Sequence, residues 1–102
     1  MLANTDLVKP AVLLTIVCEA VLRDSIIGLL KTLKVRGYTI SQVEAEDSYG
    51  RLMGTALGDN TNIEIKTIVS LEISDVVLHT LQKHRGEHPV IVYRQNIETL
   101  VD

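Results

Sequence analysis

Tryptophan and phenylalanine are absent from this 102-residue sequence, and its three tyrosines (Tyr38, Tyr49 and Tyr93) are the only aromatics. A core made from it must use Val, Ile and Leu, and its surface offers few rings on which nucleic-acid bases could stack. Cysteine occurs once, at Cys18, so no internal disulfide forms and a stapled, secreted domain is not expected. The net charge is −3 and Lys and Arg are spread along the chain, which leaves nucleic acid without a basic patch to bind. The apolar run Pro10 to Cys18 is about half the roughly 20 residues of a membrane-spanning helix. It does not read as a signal peptide either, because Asp6 lies in its head, Glu19 follows at once, and Val17 and Cys18 stand where an Ala-x-Ala cleavage site belongs. A cytoplasmic protein with no nucleic-acid partner and no direct membrane insertion is the expectation.

With 46% hydrophobic and 23% charged residues, residues 1–102 form one domain. A chain this short buries only about 60 to 65% of its unfolded surface, which favours self-association. Ala11 to Cys18 is dense in β-branched residues and apolar at both odd and even positions, as in a strand buried on both faces. From Val21 the period changes, with Leu22, Ile26, Leu29, Leu30 and Leu33 on one helical stripe; this helix is expected to end at Arg36-Gly37. Thr39 to Glu46 and Asn62 to Ser70 read as strands. A second helix carries Ile73, Val77, Leu81 and His84 on one face, has Ser70 and Ser74 as candidate caps, and closes at Gly86. Pro89 opens a last strand, Val90 to Tyr93, followed by a tail around Ile97 and Leu100 whose structure is left open. The order β-α-β-β-α-β predicts an α+β, ferredoxin-like domain: a four-stranded antiparallel sheet with both helices on one face. Because the first strand is apolar on both sides, the second face needs a cover, and identical subunits arranged as a trimer supply one.

The segment 47–61 is far longer than an ordinary hairpin loop of about 2 to 5 residues. Its glycines, Tyr49, the guanidinium of Arg51, and the apolar Leu52, Met53 and Leu57 suit grasping a ligand or partner more than solvation. A second candidate is the basic, glycine-broken turn from Lys83 to Pro89, which equally serves to complement a helix dipole. A metal site on His79, His84 and His88 is not expected, since Gly86 ends the helix between the last two and a spacing of five takes His79 off their face. Cys18, on an apolar strand, reads as a packed small hydrophobe. There is no Walker phosphate loop and no G-x-G-x-x-G, and the carboxylates fall on exposed sides of their elements, so no catalytic residues and no enzymatic activity are expected.

The order of Leu13-Leu14-Thr15-Ile16-Val17, a helix, Arg36-Gly37-Tyr38-Thr39-Ile40, a loop bearing Tyr49-Gly50-Arg51, then Asn62-Ile63-Glu64-Ile65-Lys66 and a second helix resembles the PII and PII-like signal-transduction family, over about residues 11 to 95. The compact members linked to inorganic-carbon uptake or carboxysomes are the nearest in character. The resemblance implies a homotrimer that binds adenine nucleotides between subunits and contacts a target protein, such as a transporter at its cytoplasmic face, through a mobile T-loop at 47–61. It implies ligand contacts at Thr39, at Gly50 and Arg51, and at Gly86, Glu87 and His88 where the family has its phosphate-binding B-loop. That loop's lysine is replaced by Pro89, and the arginine pair after the last strand is reduced to Arg94. Each lost cation removes about 1.5 to 3 kcal/mol of charge-assisted bonding, which points to AMP or ADP as effector in place of ATP, with no other cofactor. The alternatives are a CutA-like divalent-cation-binding trimer and a structural docking module with no small ligand.

Overall fold

The computed structural model describes residues 7–44, 61–83 and 88–100. The elements are β1 (Val8–Glu19), a 3₁₀ turn (Ala20–Leu22), α1 (Arg23–Thr32), β2 (Thr39–Val43), β3 (Asn62–Val69), α2 (Leu71–Lys83) and β4 (Val90–Leu100). The strands form one antiparallel sheet in the order β2-β3-β1-β4. This is the ferredoxin-like α+β arrangement that the element order predicted.

The core lies between the sheet and the helices. Val12, Leu14, Ile16 and Cys18 of β1 are at most 3% exposed. They pack with Ile63, Ile65 and Val69 of β3, Ile26 and Leu30 of α1, and Val77 of α2. Each large apolar side chain so buried contributes about 1.5 to 3 kcal/mol. The β-branched run of β1 and the helical stripes of α1 and α2 therefore meet as their periods require.

Three boundaries differ from the sequence-based expectation. The first concerns α1, which ends at Thr32 and not at Arg36-Gly37. Lys34 takes the left-handed conformation (φ 64°), its N–H donates to the Lys31 carbonyl at 2.9 Å, and the Val35 N–H donates to the Leu30 carbonyl at 2.9 Å. This is a Schellman stop, favoured here because Val35 then packs against the core beside Leu30. The second concerns β1 and β4, which extend each other: Val8 pairs with Leu100 and Ala11 with Ile97, so the tail after Tyr93 is strand as far as Leu100. Pro10 lies in that stretch, beyond the last β3 pair at Val12 and Val69, where one edge of β1 is free and a missing N–H does little harm. The third concerns β2, which stops at Val43 and not at Glu46.

Of the two candidate caps of α2, Ser70 is the one used. Its Oγ accepts the Ile73 N–H at 3.2 Å. Ser74 is instead buried inside the helix and donates to the Leu71 carbonyl at 2.8 Å.

Candidate functional site

The strand register sets Thr39, Lys66, Thr15 and Tyr93 in one row across β2, β3, β1 and β4. The row lies on the face away from the helices, because alternate residues of a strand point to opposite sides. Thr15, in the middle, is 1% exposed, whereas Ile68 and Tyr93 are 52% and 46% exposed. Large apolar side chains so placed on a sheet face mark a surface that something else covers.

At the β2 end of this row is a cleft of about 420 Å³ lined by Leu13, Gly37, Tyr38, Thr39, Lys66, Thr67 and Ile68. Thr67 donates its hydroxyl proton to the Gly37 carbonyl, which holds the approach to β2 against β3. Thr39, the predicted ligand contact, thus sits in the wall of a real concavity. Lys66 stands directly opposite Thr39 in the register. Sequence reasoning passed over this lysine, because nothing in its own strand says which residue of β2 it will face. Its Nζ lies 3.4 Å from Glu64 Oε1, two residues along the same face.

His88 is elsewhere. It lines a second cleft, of about 440 Å³, with Leu22, Ser25, Ile26 and Leu29 of the α1 region and Thr80, Leu81 and Val90. Its Nδ1 is 3.3 Å from Glu19 Oε1, a contact that ties the start of β4 to the end of β1. Since β2 and β4 are the outer strands, three strand spacings and about five residues along the strand separate Thr39 from His88, roughly 20 Å in all. One protomer does not bring them together. The other predicted ligand contacts, Gly50, Arg51, Gly86 and Glu87, and the predicted partner contacts Tyr49, Leu52, Met53 and Leu57, lie outside the described residues.

Arg94, the remaining candidate phosphate cation, is committed within the fold. It projects toward α2 and donates to Ser74 Oγ at 2.9 Å and to Asp75 Oδ1. Cys18 is fully buried, and burial, with the Glu19 carboxylate adding to it, pushes its thiol up to about 11. A thiol so held is a packing group and a poor nucleophile. Among the described residues no group of three or more His, Cys, Asp or Glu is placed to hold a metal ion, and no helix is long and apolar enough to cross a membrane.

No protein-family model matches the chain, and no curated protein sequence does. Solved structures do match. A PII-like signaling protein from Thermus thermophilus is 32% identical, with 91% of this chain and 92% of that one covered and a TM-score of 0.75. The chain belongs to the PII-like signaling family. CPII, a nitrogen regulatory PII-like protein from Thiomonas intermedia whose structure holds ADP and bicarbonate, is 26% identical over 90% of each chain, with a TM-score of 0.76. A DUF3240-family protein from Shewanella baltica, 15% identical over 83% of this chain and 87% of that one, shares the fold with a TM-score of 0.59. Membership of this family sets the CutA-like alternative aside.

Proposed function

We propose that this PII-like protein senses an adenine nucleotide, AMP or ADP, in clefts between the subunits of a homotrimer, and regulates a target protein through segment 47–61. The observation that carries the reading is the separation of Thr39, at the start of the outer strand β2, from His88, just before the opposite outer strand β4, roughly 20 Å apart by strand spacing. A site that uses both is complete only where the β2 edge of one copy meets the β4 edge of another. The uncovered sheet face, with Ile68 and Tyr93 exposed, supports an assembly that buries it. The ADP held by CPII supports the ligand class.

In this reading Thr39 belongs to one wall of the cleft, Gly50 and Arg51 take the phosphate, and Gly86, Glu87 and His88 close the cradle from the neighbouring copy. Tyr49, Leu52, Met53 and Leu57 meet the target, for which a transporter's cytoplasmic face is suited. The protein acts in the cytoplasm as a regulator and carries out no catalysis of its own. AMP and ADP are favoured over ATP because Pro89 stands where the family resemblance places a phosphate-binding lysine, and because Arg94 is engaged by Ser74 and Asp75.

Calorimetry with AMP, ADP and ATP tests this. AMP or ADP gives heat and raises the melting temperature, as a ligand of the native state must. Arg51→Ala weakens that binding by about 1.5 to 3 kcal/mol, roughly ten- to a hundredfold, with the trimer mass unchanged. Absence of heat with every adenine nucleotide at millimolar concentration overturns the reading.

A further inference from the structure

We propose that the seam between α1 and α2 is a binding site for a small neutral molecule with an apolar body and one hydroxyl or N–H group, which donates its hydrogen bond to His88. The inference uses neither the β2 cleft nor a nucleotide, and it stands whether or not one binds. Both helices pack on the sheet and scarcely on each other. The gap they leave is the cleft of about 440 Å³ that His88 lines. Ordinary small-molecule sites have volumes of about 300 to 1,000 Å³.

The seam stays open because of the residues set along it. Leu22, Ser25, Ile26 and Leu29 recur at helical spacing on the α1 side, and Thr80 and Leu81 line the cleft from α2. Ser25 stands between Leu22 and Leu29 in the stripe, where a larger apolar residue would close the gap, and Thr80 is likewise a short hydroxyl-bearing side chain. Leu22, Leu29, Leu81 and Val90 therefore stay only partly buried although they pack against the core. Apolar walls with a few polar groups among them suit a ligand, since the walls supply burial and the polar groups orientation.

His88 supplies the directional contact. Its Nδ1 lies 3.3 Å from Glu19 Oε1. A carboxylate only accepts, so Nδ1 carries the ring proton and Nε2 is left as the acceptor of the neutral imidazole. The hydroxyls of Ser25 and Thr80, which donate or accept by rotation, complete the polar part of the lining. A ligand carboxylate in place of the donor would meet an acceptor at Nε2 and the Glu19 charge behind the ring, and among the described residues no lysine or arginine lines the cleft to offset it.

Three probes test this: para-cresol, para-xylene and para-toluate share one body and carry a donor, no polar group and an anion respectively. Binding to the full chain, free of nucleotide, is read from the melting temperature and from the methyl resonances of Leu22, Ile26, Leu29 and Leu81, on variants first shown to keep the wild-type mass and circular dichroism. para-Cresol raises the melting temperature and shifts those methyls, and para-toluate does neither. His88→Leu lowers the ratio of para-cresol to para-xylene affinity about tenfold, because it removes the acceptor and leaves the apolar walls. Ser25→Phe, at an exposed position, fills the seam and abolishes binding of both without lowering the melting temperature of the free protein. The proposal is overturned if para-cresol shifts no methyl of the cleft or shifts that of Ile68 on the open sheet face instead. It is equally overturned if His88→Leu leaves the ratio unchanged, if Ser25→Phe binds as wild type does, or if para-toluate binds more tightly than para-cresol.

Discussion

The two faces of the sheet are made from the same four strands but are completed in different ways. On the helix-covered face Leu14, Ile16, Cys18 and Ile65 are fully buried. Polar side chains that project there are satisfied within the chain: Thr67 by the Gly37 carbonyl, and Arg94 by Ser74 and Asp75. On the other face Ile68 and Tyr93 stay about half exposed, and Thr39 and Lys66 line an open cleft. The covered face is finished by one chain, and the other stays open, with large apolar side chains exposed on it.

Substitutions on each face sharpen that contrast. Leu14→Ala, at a fully buried position, removes side-chain volume from the covered face and destabilises the protomer by about 2 to 5 kcal/mol, read from denaturant unfolding. Ile68→Asp on the open face leaves the protomer's circular dichroism unchanged and lowers the mass seen by light scattering to that of smaller species, since a carboxylate buried in an apolar contact costs several kcal/mol, about 3 or more. An unchanged mass would break the comparison, because the open face would then not be where copies meet. Arg94→Ala, again on the covered face, brings a smaller loss in denaturant unfolding, about 1 kcal/mol, because Arg94 and Asp75 are both partly exposed and solvent screens their pair. Lys34→Gly lies on neither face. It relieves the left-handed backbone at the end of α1 and stabilises the protomer by about 1 kcal/mol in thermal unfolding, with no change in assembly.

The elements that were legible in the sequence are those whose signal is local. The β-branched run before Cys18, the stripes of α1 and α2 and the cap at Ser70 all follow from side-chain spacing and backbone hydrogen-bonding needs. The stop of α1 was not legible, because a lysine in a left-handed position carries no sequence signal and the pull of Val35 toward the core is a tertiary contact. The length of β4 was not legible either. Arg94 to Leu100 alternates poorly, and it is strand because Val8 to Leu14 lies alongside it. In the site, Thr39 was reached through the Gly37-Tyr38-Thr39 step of the family resemblance, whereas Lys66 needed the register of β2 on β3.

By itself the sequence determined the element order, the composition of the core, the demand for a cover on the second sheet face and the resemblance to PII-like proteins. Those are properties of periodicity and burial, which each segment carries with it. Only the tertiary structure decided that Thr39 and Lys66 share a cleft, that His88 sits in a different one against Glu19, and that Arg94 is tied to α2. Those facts depend on which residues of distant segments lie opposite one another. A shift of one residue in register would turn Lys66 to the helices, so its place opposite Thr39 is set by the pairing of strands and not by its own neighbourhood in the chain.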